Sequence, residues 1–155
     1  DVAGAVMVNS GTSGLMISLH SLGVGSGDEV IMPALTFVGT VNAILAVGAT
    51  AILVDVDRDS ANIDPNRIKD AISARTKTVM PVHLYGLPAP MSEILDVARA
   101  YKLTVVEDAC EAIGANYGGR SEGVKVRYLD RKKKAIFGQN SRKNFDKVKH
   151  WFDVV

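Results

Sequence analysis

The sequence predicts an α/β fold built on a mostly parallel sheet, and three features carry the prediction. Short apolar, β-branched runs alternate with amphipathic stretches of helical period between Glu29 and Glu107, the pattern of successive strand–helix–strand units. Turn and cap residues such as Pro33, Gly48 and Asp64-Pro65 punctuate the stretches, each where a strand or helix should begin or stop. The run Leu103-Thr-Val-Val-Glu-Asp108 ends abruptly on two carboxylates followed by small residues. A buried strand of that kind delivers an acid to the edge where open α/β sheets bind ligands.

Each element follows in order. Val6 to Val8 read as the end of a strand already in progress at Asp1, as if the chain began partway into a larger protein. Asn9-Ser-Gly-Thr-Ser-Gly14 opens a helix with Leu15, Leu19 and Leu22 on one face. Gly23 to Gly27 breaks that helix, and Glu29 to Met32 form a short strand stopped by Pro33. Phe37 to Val47 form a second helix, ended by Gly48, and Thr50 to Val56 read as a buried strand. Asp64 caps a helix that takes Pro65 at its first position and runs through Ile68, Ala71 and Ile72. Thr78 to Val82 is a strand, His83 to Pro90 a loop, Met91 to Tyr101 an amphipathic helix and Leu103 to Glu107 the next strand. Right-handed crossovers would put the strand C-terminal ends on one edge. That edge would gather Asn9 to Thr12, Pro33 to Phe37, His83-Leu84-Tyr85 and Asp108. After Arg120 the rhythm is lost, so residues 1–120 are expected to form the core and 121–155 a divergent basic tail, with a weak helix over Asn144 to Phe152.

Composition narrows the function classes. The 155 residues suffice for one domain with a sizeable core. With 47% hydrophobic and 23% charged residues and a net charge of +1, nothing argues globally for nucleic acid or a membrane surface. The basic run Arg131-Lys-Lys-Lys134 reads as a solvated face. No apolar run has the length of a membrane span, and the first residues lack the basic start of a signal peptide. The single cysteine, Cys110, excludes an internal disulfide framework and suits a reducing cytoplasm. His20, His83 and His150 are scattered, so no metal site is expected. A nucleophilic hydrolase is disfavoured by the lack of a G-x-S-x-G elbow.

Three constellations can carry chemistry. Ser10-Gly-Thr-Ser-Gly14 exposes hydroxyls and N–H groups at a helix start, an anion site, or else is simple capping by Ser10 or Thr12. It has no P-loop lysine, and Gly23-Val-Gly-Ser-Gly27 follows a helix and precedes a strand, the wrong order for a dinucleotide fingerprint. Phe37, just after Pro33, can stack on a flat ring or simply belong to the core. Asp108 and Glu111 share one side at a spacing of three, as a cap and a solvent residue or as holders of a protonated ring nitrogen and a neighbouring hydroxyl. An ionised, buried Asp108 requires a cationic partner. His83, at the same edge, is either hydrogen-bonded at a strand end or a ligand.

Taken in chain order, Val8-Asn-Ser-Gly-Thr-Ser13, Gly27-Asp-Glu-Val-Ile-Met-Pro-Ala-Leu-Thr-Phe37, Val54-Asp-Val-Asp57, Asn62-Ile-Asp-Pro65, Pro81-Val-His-Leu-Tyr-Gly86 and Glu107-Asp-Ala-Cys-Glu-Ala112 resemble the motifs of the DegT/DnrJ/EryC1/StrS aminotransferases. The resemblance runs from about Val6 to Arg120 and covers less than half of a typical member. It implies an incomplete large domain of the fold-type I, aspartate-aminotransferase-like kind: three layers, a mostly parallel sheet with helices on both faces. It also implies pyridoxal 5'-phosphate (PLP) as cofactor, with Gly11, Thr12 and Ser13 at its phosphate, Phe37 stacked on its ring, Asp108 on the ring nitrogen and Glu111 near the ring hydroxyl. His83 would face the substrate. Lys143, in Ala135-Ile-Phe-Gly-Gln-Asn-Ser-Arg-Lys143, would be the Schiff-base lysine and the base, with Gly138 where the family has a phosphate-binding serine. The activity implied is transfer of an amino group from glutamate to a keto sugar, of the nucleotide-linked kind, by a cytoplasmic homodimer. Two other readings stand beside it: a truncated remnant that folds and binds PLP without turnover, and a dehydratase-type member with histidine in place of the lysine.

Overall fold

Strand periodicity builds the molecule from the middle outwards. The computed structural model describes residues 6–112, 115–117, 120–121 and 125–127. In chain order these form α1 (Gly11–Ser21), β1 (Glu29–Pro33), α2 (Val38–Ala46), β2 (Thr50–Val54), α3 (Pro65–Ile68), β3 (Thr76–Val79), α4 (Met91–Tyr101), β4 (Thr104–Glu107), β5 (Asn116–Tyr117), β6 (Arg120–Ser121) and β7 (Lys125–Arg127). Strands β2-β1-β3-β4-β7 form one sheet in that order. The first four are parallel and β7 runs antiparallel to β4, while β5 and β6 pair antiparallel by themselves.

Alternate residues of each strand enter opposite cores, as the two-residue period demands. Ile31, Val79 and Val105 pack with Ile68 of α3 and with Ile94, Leu95, Val97 and Ala98 of α4. Val30, Met32, Met80 and Val106 pack with Leu15 and Leu19 of α1 and Ala43 and Ile44 of α2. Helices therefore cover both faces, giving the three-layer α/β arrangement that the sequence predicts. No helix among the described residues is long and apolar enough to cross a membrane.

Several local expectations are corrected. Residues 6–8 carry no strand. Pro33 is the last residue of β1 rather than the stop beyond it, pairing with Val54, and Ala34 N–H then reaches Val54 O at 2.8 Å. The strand read as Thr50 to Val56 is shorter and less buried. At the edge of the sheet, it has one neighbour among the described residues, leaves Leu53 exposed, and departs at Val56 into an isolated bridge with Ile63. The helix after Asp64 makes one α-turn, then a 3-10 turn over Lys69–Ala71, and Ile72 is already extended. β3 starts at Thr76 and ends at Val79, because Pro81 has no N–H for the ladder. Val82 rejoins the sheet through a parallel bridge to Asp108. The helix Met91–Tyr101 stands as read, closed by Lys102 in the left-handed region at φ 58°. The expected helix over Asn144 to Phe152, and Lys143 before it, lie outside the described residues.

The two ends of the sheet are chemically distinct. At the N-terminal end, Glu29 accepts from the Ser73 hydroxyl at 2.5 Å and from Arg75 Nε and Nη2 at 2.9 and 2.6 Å. Those bonds, Ser73's first, hold its carboxyl below the usual carboxylate range against the opposing effect of burial. This acid has its cation. The acid at the other end, Asp108, is different.

Candidate functional site

The C-terminal edge assembles from three loops. At the start of α1, Ser10 is the cap: its Oγ accepts Ser13 N–H at 3.2 Å and lies 3.0 Å from Ser13 Oγ. The capping reading of this turn thus holds for Ser10. It leaves the N–H groups of Gly11 and Thr12 at the helix end with no partner inside the helix. Gly11 is required by closeness, since a Cβ there would lie 2.3 Å from Cys110 Sγ. A Cβ on Gly39 would likewise lie 2.6 Å from Thr12 Oγ1 and 2.9 Å from the Phe37 ring. Two missing side chains let α1, α2 and the Asp108 loop converge. Phe37 caps α2 and is 67% exposed, so it is not a core phenylalanine.

Asp108 follows β4 directly and is 5% exposed. Its backbone N–H donates to Pro81 O and its carbonyl accepts from His83 N–H, both at 2.9 Å. Its Oδ1 accepts Cys110 N–H at 3.2 Å, and its Oδ2 accepts the Thr40 hydroxyl at 2.8 Å. Thr40 Oγ1 in turn lies 2.8 Å from Thr36 Oγ1. Among the described residues no lysine, arginine or histidine pairs with Asp108. A cleft of about 60 Å³ opens above it, walled by Thr12, Phe37, Thr40, Asp108, Cys110 and Glu111 among others.

Glu111 also finds a donor. Its Oε2 accepts the Tyr85 N–H at 2.7 Å, which ties it to the 3-10 turn Leu84–Gly86, where Tyr85 and Gly86 have φ of 53° and 84°. Asn62 anchors that turn from below. Its Oδ1 accepts Leu84 N–H at 3.1 Å, and its Nδ2 donates to Leu87 O and Pro88 O at 3.0 and 3.3 Å. His83, expected toward the substrate, is instead fully buried and does not wall the cleft. Its Nδ1 accepts Ala89 N–H at 2.9 Å, so the ring proton sits on Nε2, 3.2 Å from Glu107 Oε2. The histidine braces the loop behind the cleft. Ser13 likewise is absent from the cleft wall, its hydroxyl engaged with Ser10.

Thr36 is placed at this edge by the sequence and Asn62 stands in a quoted motif, both without an assigned role, while Thr40 escaped the reading of the sequence. The one available signal was the four-residue spacing of Thr36 and Thr40 at a helix start, which puts both hydroxyls on one side.

The thiol of Cys110 is pushed up to about 12, by burial of the sulfur first and then by the hydrogen bond and charge of Asp108. Set against an ordinary thiol value of 9.0, this leaves little thiolate, the reactive form, at neutral pH. Alkylation of Cys110 by iodoacetamide at pH 8 is expected to run roughly a hundredfold or more slower than that of a free cysteine. A rate within tenfold of free cysteine would show that burial and Asp108 together do not hold the thiol up.

Comparison with known proteins shows what the chain is similar to. Residues 1–128 match the DegT/DnrJ/EryC1/StrS aminotransferase family. The GDP-perosamine synthase of Caulobacter vibrioides is 46% identical over 119 residues, 77% of this chain and 32% of that protein. Among solved structures, DesV of S. venezuelae in complex with a ketimine intermediate is 44% identical with a TM-score of 0.74, covering 76% of this chain and 32% of its own. NtdA of Bacillus subtilis with bound cofactor PMP is 48% identical with a TM-score of 0.69, covering 72% of this chain and 26% of its own. The chain thus spans about a third of these relatives' length or less. With the match extending over the strands, both helix starts and the Asp108 loop that build the cleft, the chain belongs to the DegT/DnrJ/EryC1/StrS aminotransferase family.

Proposed function

We propose that this chain supplies the cofactor-binding core of a PLP-dependent aminotransferase that moves an amino group from glutamate to a keto sugar carried on a nucleotide. One observation carries the reading: Asp108 is a buried carboxylate at a strand end, below a cleft, with only neutral hydrogen-bond donors among the described residues. A pyridine nitrogen that keeps its proton supplies the cation such an acid requires. The residues present fit the cofactor. The Gly11 and Thr12 N–H groups and the Thr12 hydroxyl would hold its phosphate at the start of α1, with Ser13 kept on the Ser10 cap. The exposed Phe37 ring would cover one face of the pyridine, and Glu111 would keep the Tyr85–Gly86 turn against the cleft. Bound there, PLP supplies an electron sink for a proton shift at the amino-bearing carbon.

The chain's own residues divide the remaining work. Asp108 holds a proton on the ring nitrogen, and Lys143 would be the amine that binds the cofactor and moves the proton. Residues 1–120 would form the core and 121–155 the basic tail that bears this lysine. A cytoplasmic homodimer is supported by the free Cys110 and by the exposed aromatic rings of Phe37 and Tyr85 beside the cleft. The second reading, cofactor binding without turnover, is favoured by the family match ending at residue 128, before Lys143.

The test is a titration with pyridoxamine phosphate (PMP), which needs no lysine to bind, followed by PLP with borohydride and mass spectrometry. PMP binding with a pyridoxyl group fixed on Lys143 is the expected result for the transaminase. Binding with Lys143 unmodified selects the reading without turnover, and no binding of PMP sinks the cofactor assignment.

A further inference from the structure

We propose that Thr40 is a positioning residue for the ring-nitrogen contact, and that Thr36 and Thr40 form a directed hydroxyl relay that aims and polarises the Asp108 carboxylate. The inference rests on the cofactor reading of the cleft and adds two residues to it. Its basis is the chain of contacts Thr36 Oγ1, Thr40 Oγ1 and Asp108 Oδ2, each step 2.8 Å and the inner one buried.

The direction of the relay follows from donor and acceptor inventory. An ionised carboxylate only accepts, so the Thr40 hydroxyl must spend its proton on Asp108. Its lone pair is then open, and the Thr36 hydroxyl donates into it. Each bond polarises the next, so the outer hydroxyl strengthens the inner one. Thr40 is itself buried at 1% exposure, so water does not compete for its place. Thr36 and Thr40 also wall the cleft, which sets the relay beside the ligand rather than in remote core.

The relay acts on two properties of the acid. Rotation about the bond to a carboxylate is soft, and a donor on each oxygen, Thr40 O–H on Oδ2 and Cys110 N–H on Oδ1, holds the group in one plane. Both donors also leave each oxygen a lone pair, so the acid presents a fixed acceptor to the ring N–H. Glu111 and Cys110 are the other ionisable groups walling the cleft, and His83 and Glu107 lie buried behind it; of these the Cys110 thiol also hydrogen-bonds Asp108, as a weak donor. Thr40 supplies the hydroxyl, the stronger side-chain donor.

The test uses the chain with PMP labelled with 15N in its ring, reading affinity and the ring-nitrogen chemical shift. Thr40→Val keeps shape and removes the donor. It is expected to weaken PMP roughly tenfold, the effect of losing one hydrogen bond to a charged acceptor, and to move the nitrogen signal toward the unprotonated position. Thr40→Ser restores the hydroxyl and is expected to bind within about twofold of the parent with its nitrogen shift. Thr36→Val, at a part-exposed site, is expected to lose roughly threefold. An unmoved nitrogen signal in Thr40→Val, or equal losses in the valine and serine variants, would mean that Thr40 only fills space and overturns the proposal. Should Thr40→Val fail to fold, Thr36→Val decides: a parent-like shift and affinity overturn the relay. If the parent itself binds no PMP, the cofactor reading falls and the relay falls with it.

Discussion

Asp108→Asn is expected to weaken PMP binding by roughly a hundredfold or more, about 3 kcal/mol, the effect of removing one partner of a buried, hydrogen-bonded charge pair. The change is close to isosteric, so the fold should survive. Asparagine can accept from either Cys110 N–H or Thr40 O–H through its oxygen but turns an NH2 donor toward the other. That mismatch is expected to cost about 1–2 kcal/mol of stability. The two effects separate in measurement: calorimetric titration with PMP reads the first, and urea unfolding of the unliganded chain reads the second. An Asp108→Asn protein that binds PMP within threefold of the parent would leave the acid without its assigned partner. The same substitution removes the negative charge beside Cys110 and should make its thiol easier to alkylate, since burial and the lesser charge effect of Glu111 then hold it up.

Asn62→Leu is expected to destabilise the chain by about 3 kcal/mol, the largest effect on folding foreseen for one side chain near the site. The position is 1% exposed, so the transfer of the leucine side chain out of water offsets part of what is lost. What is lost is a partner for Leu84 N–H and for the carbonyls of Leu87 and Pro88. Buried backbone groups left without partners cost about 1–3 kcal/mol apiece, and partial access to water relieves some of that. The turn they belong to contains Tyr85 in the left-handed region and is joined to Glu111. Loss of the anchor should therefore also loosen the cleft. A shift in the urea midpoint below that equivalent to 1 kcal/mol, with slope unchanged, would show that the loop holds its shape without Asn62.

Much of the architecture was legible because its causes are local. The helix Met91–Tyr101 was readable to the residue, since its apolar period and its flanking Pro90 and Lys102 all lie within the segment. Asp64-Pro65 marked a helix start for the same reason: the side-chain cap and the fixed proline φ act within one turn. The stretch Thr50 to Val56 misled because an apolar run does not tell a central strand from an edge strand. Its place at the sheet edge comes from the order β2-β1-β3-β4-β7, which pairs segments far apart in sequence. The candidate site divides in the same way. Asp108 at a strand end and the cap at Ser10 were visible, while Thr40, 68 residues from its carboxylate partner, was not.

The sequence by itself determined the alternation of strands and helices, the caps, and an acid delivered to the ligand-binding edge. It also carried the family resemblance, in motifs whose order along the chain is itself sequence. Only the tertiary structure decided that Phe37 is exposed on a cleft rather than packed in a core, that His83 braces a loop from within, and that Asp108 is held by hydroxyl and backbone donors while Glu29 at the other end of the sheet holds an arginine. The physical reason is range. Propensity, period and capping act over one or two turns of chain, whereas the partner of a buried charge is chosen by which strands lie side by side.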